Sequence, residues 1–246
     1  MEDSYQIKGG DATATISTLG GTAAVFIVGN TDFFYPQHMI GDKARGGCPL
    51  CAPWFGSSKR GAKKHGFLRD TRASGAFVGE KTMCLEFHDQ GRPSYPWPLG
   101  YETRAHIREN GALEMILRIK RGKDGIAEDA PVNAGFHPFF ACENADKVEV
   151  FVAGKMFKGF AEESRTIPLE SESVLIHIPH EKIILMKLSG DFFRYGRPQL
   201  VFWTDAPGKY ACVEPIFQPY DWFDTPRGFF LEEDRGMKFI ATFEIM

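Results

Sequence analysis

No stretch of the 246-residue chain approaches the roughly 18 to 20 uninterrupted apolar residues of a membrane-crossing helix, so no membrane partner is expected. Positive charge is not in excess. The 29 Lys and Arg against 32 Asp and Glu leave a net charge of −3, which argues against general nucleic-acid binding, where cations must replace condensed counterions. The opening Met1-Glu2-Asp3-Ser4-Tyr5 lacks the basic region and apolar run of a secretory signal, and a cytoplasmic protein is the expectation. Cysteines are few and odd in number, and four of the five (Cys51, Cys84, Cys142, Cys212) sit beside apolar residues as reduced thiols do. Cys48-Pro49-Leu50-Cys51 has redox or half-zinc spacing, yet no second pair follows. Absent too are a G-x-S-x-G elbow, an H-E-x-x-H pair and a G-x-x-x-x-G-K-[ST] phosphate loop. The sequence thus offers no nucleophile or metal motif. His177-Ile178-Pro179-His180 has no acidic or Cys partner at ligand spacing and reads as a surface strand end.

Helical periodicity is nearly absent, whereas period-two alternation recurs throughout. Ala12 to Leu19 and Thr22 to Val28, split by Gly20-Gly21, predict a hairpin. Thr82 to His88 alternates in the same way. Tyr101, Thr103, Ala105 and Ile107 share one face of a strand that Asn110-Gly111 turns into Leu113 to Lys120. Further strands are expected over 147–152, 174–178, 183–188, 199–204, 210–213 and 237–245. About a dozen short strands separated by Gly, Pro and Asp turns favour an all-β antiparallel sandwich or barrel. With 43% hydrophobic residues the chain can bury a large core, and no linker interrupts it, so 1–246 is read as a single domain.

Three stretches stand out from this pattern. In Asn133-Ala134-Gly135-Phe136-His137-Pro138-Phe139-Phe140, Pro138 fixes its own φ and biases His137 towards extended backbone. His137 is either a packing histidine in an aromatic cluster or a positioned acid–base group. Residues 45–70 form a long loop punctuated by Gly and Pro that carries Arg45, Trp54, Phe55, His65 and Arg69, and such loops tend to be functional. Trp54 and Phe55 offer either a stacking face for a sugar ring or a plug for the sandwich edge. Within the loop, the cations of Lys59 to Lys64 form either a solvated run or an anion-holding one. The third stretch, Val201 to Asp205 with Tyr210 to Ile216, contains Glu214 bounded by Val213, Pro215 and Ile216. Burial would raise its pKa and a nearby Arg would lower it. A structural salt bridge and a catalytic base are both open for it.

RGGCP, PWFG, HGFLRD, GFHPFF and CVEPI, in this order, resemble the motifs of the aldose 1-epimerase (galactose mutarotase-like) family, closest to its hexose-6-phosphate mutarotase branch. The resemblance implies an antiparallel β-supersandwich that binds one sugar or sugar phosphate on its concave face with no cofactor. It further implies His137 as general acid, Glu214 as general base, His65 as the residue positioning the ring, and Arg45 and Arg69 as ligands of sugar or phosphate oxygens. Asp205 stands where the phosphate branch usually has an asparagine-proline pair after tryptophan, and it is taken as a further substrate-binding residue. The activity implied is interconversion of α and β anomers of a hexose or hexose 6-phosphate. One imidazole and one carboxylate, expected on opposite sides of the ring, suffice for that chemistry. A catalytically silent carbohydrate-binding protein on the same scaffold is the alternative.

Overall fold

The computed structural model describes residues 3–40, 43–57, 63–122, 129–223 and 225–246. Among these the only helical segments are 3₁₀ turns at Leu68–Asp70, Ala145–Lys147 and Tyr220–Trp222. The expected all-β antiparallel architecture is present.

The larger sheet has nine strands, in the order Lys155–Phe157, Glu149–Val152, Ser173–Ile178, Lys182–Gly190, Gly236–Ile245, Leu113–Arg121, Leu99–Ile107, Thr82–Asp89 and Gly75–Val78. Every neighbouring pair is antiparallel. The hairpin expected around Asn110-Gly111 pairs Tyr101 with Ile119 and Ala105 with Met115, so the apolar residues face the core together. The outer face is polar and carries the Glu102–Arg118 ion pair at 2.6 Å. The hairpin at Gly20-Gly21 is also present, within a separate four-stranded sheet.

The six-stranded sheet runs Arg165–Pro168, Gln199–Trp203, Tyr210–Ile216, Gly135–Phe136 and Leu50–Cys51, with Phe139–Ala141 also pairing to the central Tyr210–Ile216. That central strand is longer than the sequence pattern suggested. Pro215 gives up a ladder donor yet keeps an extended φ, and Leu200 and Gln199 go on pairing with Pro215 and Ile216. Glu214 therefore lies inside a strand, where the apolar pattern had placed it at the end.

One continuous apolar cluster joins the two large sheets. Phe239 and Phe243 of the nine-stranded sheet meet Phe217 and Phe140 with ring centroids 5.2 and 6.1 Å apart. Paired aromatics of this kind add about 0.5–1.5 kcal/mol beyond their buried area, and they fix how the smaller sheet sits on the larger.

Candidate active site

Successive residues of a strand point to opposite faces of its sheet, and the two faces of Tyr210–Ile216 differ sharply. Ala211 and Val213 enter the main core with Phe136, Phe140, Leu200 and Phe202. On the other face Tyr210 and Cys212 pack with Phe139, while Ile216 packs with Cys51, Phe55 and Val201. Glu214 lies between these two small clusters, in register with Val201. A cavity of about 740 Å³ opens above it, and its wall includes His137, His65, Phe55, Arg45 and Arg69.

His137 is held on both sides. Its N–H donates to Pro49 O at 3.0 Å and that of Phe139 donates to Gly47 O at 2.9 Å, which ties the motif to the Gly47-Cys48-Pro49 segment. The imidazole stacks on Phe139 with centroids 4.7 Å apart and an interplanar angle of 9°. Phe55 stacks on it more loosely at 5.8 Å, an approach that requires Gly135, since a Cβ there would lie 2.7 Å from the Phe55 ring and 2.8 Å from Pro215 O.

His137 Nε2 lies 3.3 Å from Glu214 Oε1. The contact is close enough for an ion pair but misaligned as a hydrogen bond, so Glu214 Oε1 is buried without a hydrogen-bond partner among the described residues; His137 Nδ1, the other ring nitrogen, is likewise buried and unpartnered among them. Burial dominates their ionisation. It pushes Glu214 well above the usual carboxylate range against the pull of Lys64, and together with the charge of Arg69 it lowers His137 to about 3. Both groups are thus held neutral, Glu214 carrying the one transferable proton and His137 only its ring N–H. The two side chains stand side by side rather than across a ring as expected, because the link between Gly135–Phe136 and Phe139–Ala141 brings His137 to the cavity-facing side of the sheet, next to Glu214.

His65 reaches the same wall through two consecutive left-handed residues, His65 at φ 68° and Gly66 at φ 72°. Gly66 is required sterically: a Cβ would sit 2.2 Å from Ala52 O. For His65 the conformation costs about 1 kcal/mol or more. It is locked by the His65 N–H to Gly56 O bond and by Gly56 N–H donating to His65 Nδ1 at 3.2 Å. Because Nδ1 accepts, the proton of the neutral ring is on Nε2. Burial first, and then the neighbouring His137, Lys64 and Arg69, hold His65 well below the usual imidazole range.

Arg45 is tightly held. Its Nη2 and Nε donate to Asp205 Oδ2 at 2.7 and 3.0 Å, and its guanidinium lies 5.3 Å over the Trp203 ring. The Tyr210 hydroxyl donates to Asp205 Oδ1. Burial alone would lower Arg45 and raise Asp205, but their mutual bond and charge outweigh it, so both stay ionised. Asp205 does not line the cavity. The substrate-binding role expected for it is corrected to that of holding Arg45.

Trp54 also departs from expectation. It is fully buried, packs against Phe67, Tyr95 and Phe223, and donates its Nε1–H to Lys63 O at 3.1 Å. Its large ring fills the core behind the loop, which leaves Phe55 as the member of the pair that faces the cavity. Arg69 lines the wall and forms no ion pair among the described residues. Lys63 and Lys64 line it too, Lys63 paired with Asp70 at 2.8 Å, whereas Lys59 and Arg60 lie outside the described residues. Cys48 and Cys51 are buried thiols pushed up by burial, Cys51 to about 12, as suits inert core cysteines. His177 donates from Nδ1 to the Glu149 carboxylate of the neighbouring strand at 3.0 Å, away from the cavity.

Tyr210 was missed in the sequence, where it read only as the first residue of an apolar strand. Cys212 was missed as well. Its Sγ, a His137 ring nitrogen and a Glu214 oxygen all fall within 4.8 Å of one another. No spacing announces this group, since His137 lies on a different part of the chain.

A sequence model described as aldose 1-epimerase matches residues 3–173. No curated protein matches the chain significantly. Among solved structures, a galactose mutarotase related enzyme from Lactobacillus acidophilus superposes with a TM-score of 0.80 at 14% identity, covering 99% of this chain and 97% of that one. The Slr1438 protein from Synechocystis sp. PCC 6803 gives 0.77 at 17% identity, with 98% and 95% covered. A galactose 1-epimerase from Lactobacillus acidophilus NCFM gives 0.72 at 9% identity, with 99% and 94% covered. At these identities the structural likeness speaks for the fold.

Proposed function

Because the chain belongs to the aldose 1-epimerase family, we propose that it is a mutarotase that interconverts the α and β anomers of a hexose or hexose 6-phosphate, with residues 1–246 acting as one domain. The observation that carries this reading is the buried Glu214–His137 pair, 3.3 Å apart, at a cavity of about 740 Å³. That volume falls in the range of roughly 300–1,000 Å³ typical of small-molecule sites.

Ring opening removes a proton from the C1 hydroxyl and delivers one to the ring oxygen. Both oxygens are bonded to C1, so an acid and a base side by side can serve them from one edge of the sugar. With the transferable proton starting on Glu214, this carboxyl protonates the ring oxygen while neutral His137 accepts the C1 hydroxyl proton. The carbonyl carbon then rotates. On closure the Glu214 carboxylate takes the C5 hydroxyl proton, and the His137 imidazolium returns a proton to the new C1 hydroxyl. The roles implied by the family resemblance, His137 as acid and Glu214 as base, are those of this closing half. His65 presents Nε2–H to a sugar oxygen and positions the ring, Phe55 packs on it, and Arg45 donates to its hydroxyls.

The anionic form of the substrate is supported by Arg69 and Lys64, which face the cavity with no carboxylate paired to them among the described residues. One Arg–phosphate contact in a partly dry site contributes about 1.5–3 kcal/mol, or about a tenfold to hundredfold preference over the neutral sugar. Anomer exchange followed by NMR, with kcat/KM for glucose, galactose and glucose 6-phosphate at low and moderate salt, tests both levels. A preference for the phosphate that weakens with salt is the expected result. Equal values without salt dependence would remove phosphate recognition from the site, and no exchange on any aldose would overturn the mutarotase reading.

A further inference from the structure

Cys212 has no part in acid–base chemistry, yet it sits where it can change the fate of the site. Alternation along Tyr210–Ile216 puts Cys212 and Glu214 on the same face, and His137 approaches from the adjoining motif. Sulfur, imidazole nitrogen and carboxylate oxygen lie within 4.8 Å of one another, and all three residues are buried. A tetrahedral ion with bonds of about 2.0–2.3 Å needs donors about 3.3–3.8 Å apart, so movements of about 1 Å complete the set. Two further features point to a ligand. Among the described residues Glu214 Oε1 and His137 Nδ1 are buried with no hydrogen-bond partner, a costly state that coordination would relieve at the carboxylate. A divalent ion is also balanced by one thiolate and one carboxylate, so the occupied site would be neutral in a setting that penalises net charge.

We propose that Cys212, His137 and Glu214 form a binding site for a borderline-soft divalent cation, Zn²⁺ or Co²⁺ by its donor set, and that the ion occupies the site in competition with sugar. Nitrogen, sulfur and oxygen donors of this kind select such ions over Mg²⁺ or Ca²⁺, which require oxygen alone. Three protein donors leave a fourth position open towards the cavity. Binding displaces two protons to solvent, one from the Cys212 thiol and one from the Glu214 carboxyl. Occupancy ties up both Glu214 and His137, and if these residues carry anomer exchange as proposed above, the ion is an inhibitor.

The test uses Co²⁺ added to the purified full chain. Wild type should develop a thiolate-to-cobalt charge-transfer band at one equivalent, which Zn²⁺ abolishes. Cys212→Ala and Cys212→Ser should lack the band, bind Zn²⁺ at least about tenfold more weakly by calorimetry, and keep basal anomer exchange. Glu214→Gln, which retains the thiol, should weaken the band. No band in wild type, or one that persists in both Cys212 variants, would overturn the proposal, the latter by placing the ion on another cysteine. The band needs no turnover, so a failure of the mutarotase reading would leave it in place.

Discussion

The nine-stranded and six-stranded sheets obey the same rule of alternation and use it differently. In Leu99–Ile107 every second residue is buried and those between are half-exposed, whereas in Tyr210–Ile216 all seven residues are buried. The larger sheet is wetted on one side and packed on the other. The centre of the smaller is enclosed on both, by core on one face and by the cavity wall on the other. Enclosure is what allows a carboxyl and an imidazole to be brought together with the ionisation of both suppressed, so the strand that looks more uniformly apolar is the one that holds the ionisable pair. Burial there serves ionisation, while burial in the larger sheet serves stability.

The largest expected effect is on the structural side. Leu117 is fully buried between Thr103 and Phe239 of the neighbouring strands, and Leu117→Ala should cost about 2–5 kcal/mol in a urea titration while the folded fraction keeps its kcat. A loss of kcat beyond the loss of folded protein would mean that the sheets are not separable in this way.

The converse variants are Glu214→Gln and His137→Asn. Each should lower kcat by about a hundredfold or more in a protein that still folds cooperatively. Near wild-type exchange from both folded variants would remove the pair from the mechanism.

Acid sharpens the same contrast. His137 titrates at about 3 in the folded chain and at about 6.5 when unfolded, so between these values the unfolded state binds the extra proton and stability falls as pH drops. In His137→Asn this part of the acid-induced loss should vanish. Glu214 has the opposite sign, since its raised pKa makes the folded state the better proton binder above the normal carboxylate range. Thermal melts of the two variants between pH 3 and pH 7 should therefore diverge. Parallel curves would show that the pair is not buried as described.

Smaller effects are expected around Arg45. Asp205→Asn leaves its guanidinium without a counter-charge and should raise KM about tenfold with less change in kcat, and Tyr210→Phe, which removes only the hydroxyl bond to Asp205, about threefold. A fall in kcat with unchanged KM would instead place Arg45 at the reacting atoms. The smallest effect belongs to the outer face of the larger sheet. Glu102→Gln breaks an exposed pair with Arg118 and should change stability by no more than about 1 kcal/mol and exchange not at all.

The sequence by itself determined the nine-stranded sheet almost strand by strand, because a sheet with one wet face prints a period-two pattern that turns such as Asn110-Gly111 punctuate. It also determined one local device of the site, Pro138 extending His137. Only the tertiary structure decided the rest. The central strand of the six-stranded sheet is buried on both faces, so its residues show no alternation from which to tell core from cavity, and the pattern stopped at Val213 when the strand continued to Ile216. Trp54 and Phe55 are adjacent in sequence and face opposite environments, which is settled by what packs behind the loop. Asp205 could be recognised as an acid near the site, but its engagement with Arg45 crosses 160 residues. Which group meets which across such distances is fixed by the pairing of strands remote in sequence, and no local preference of the chain encodes it.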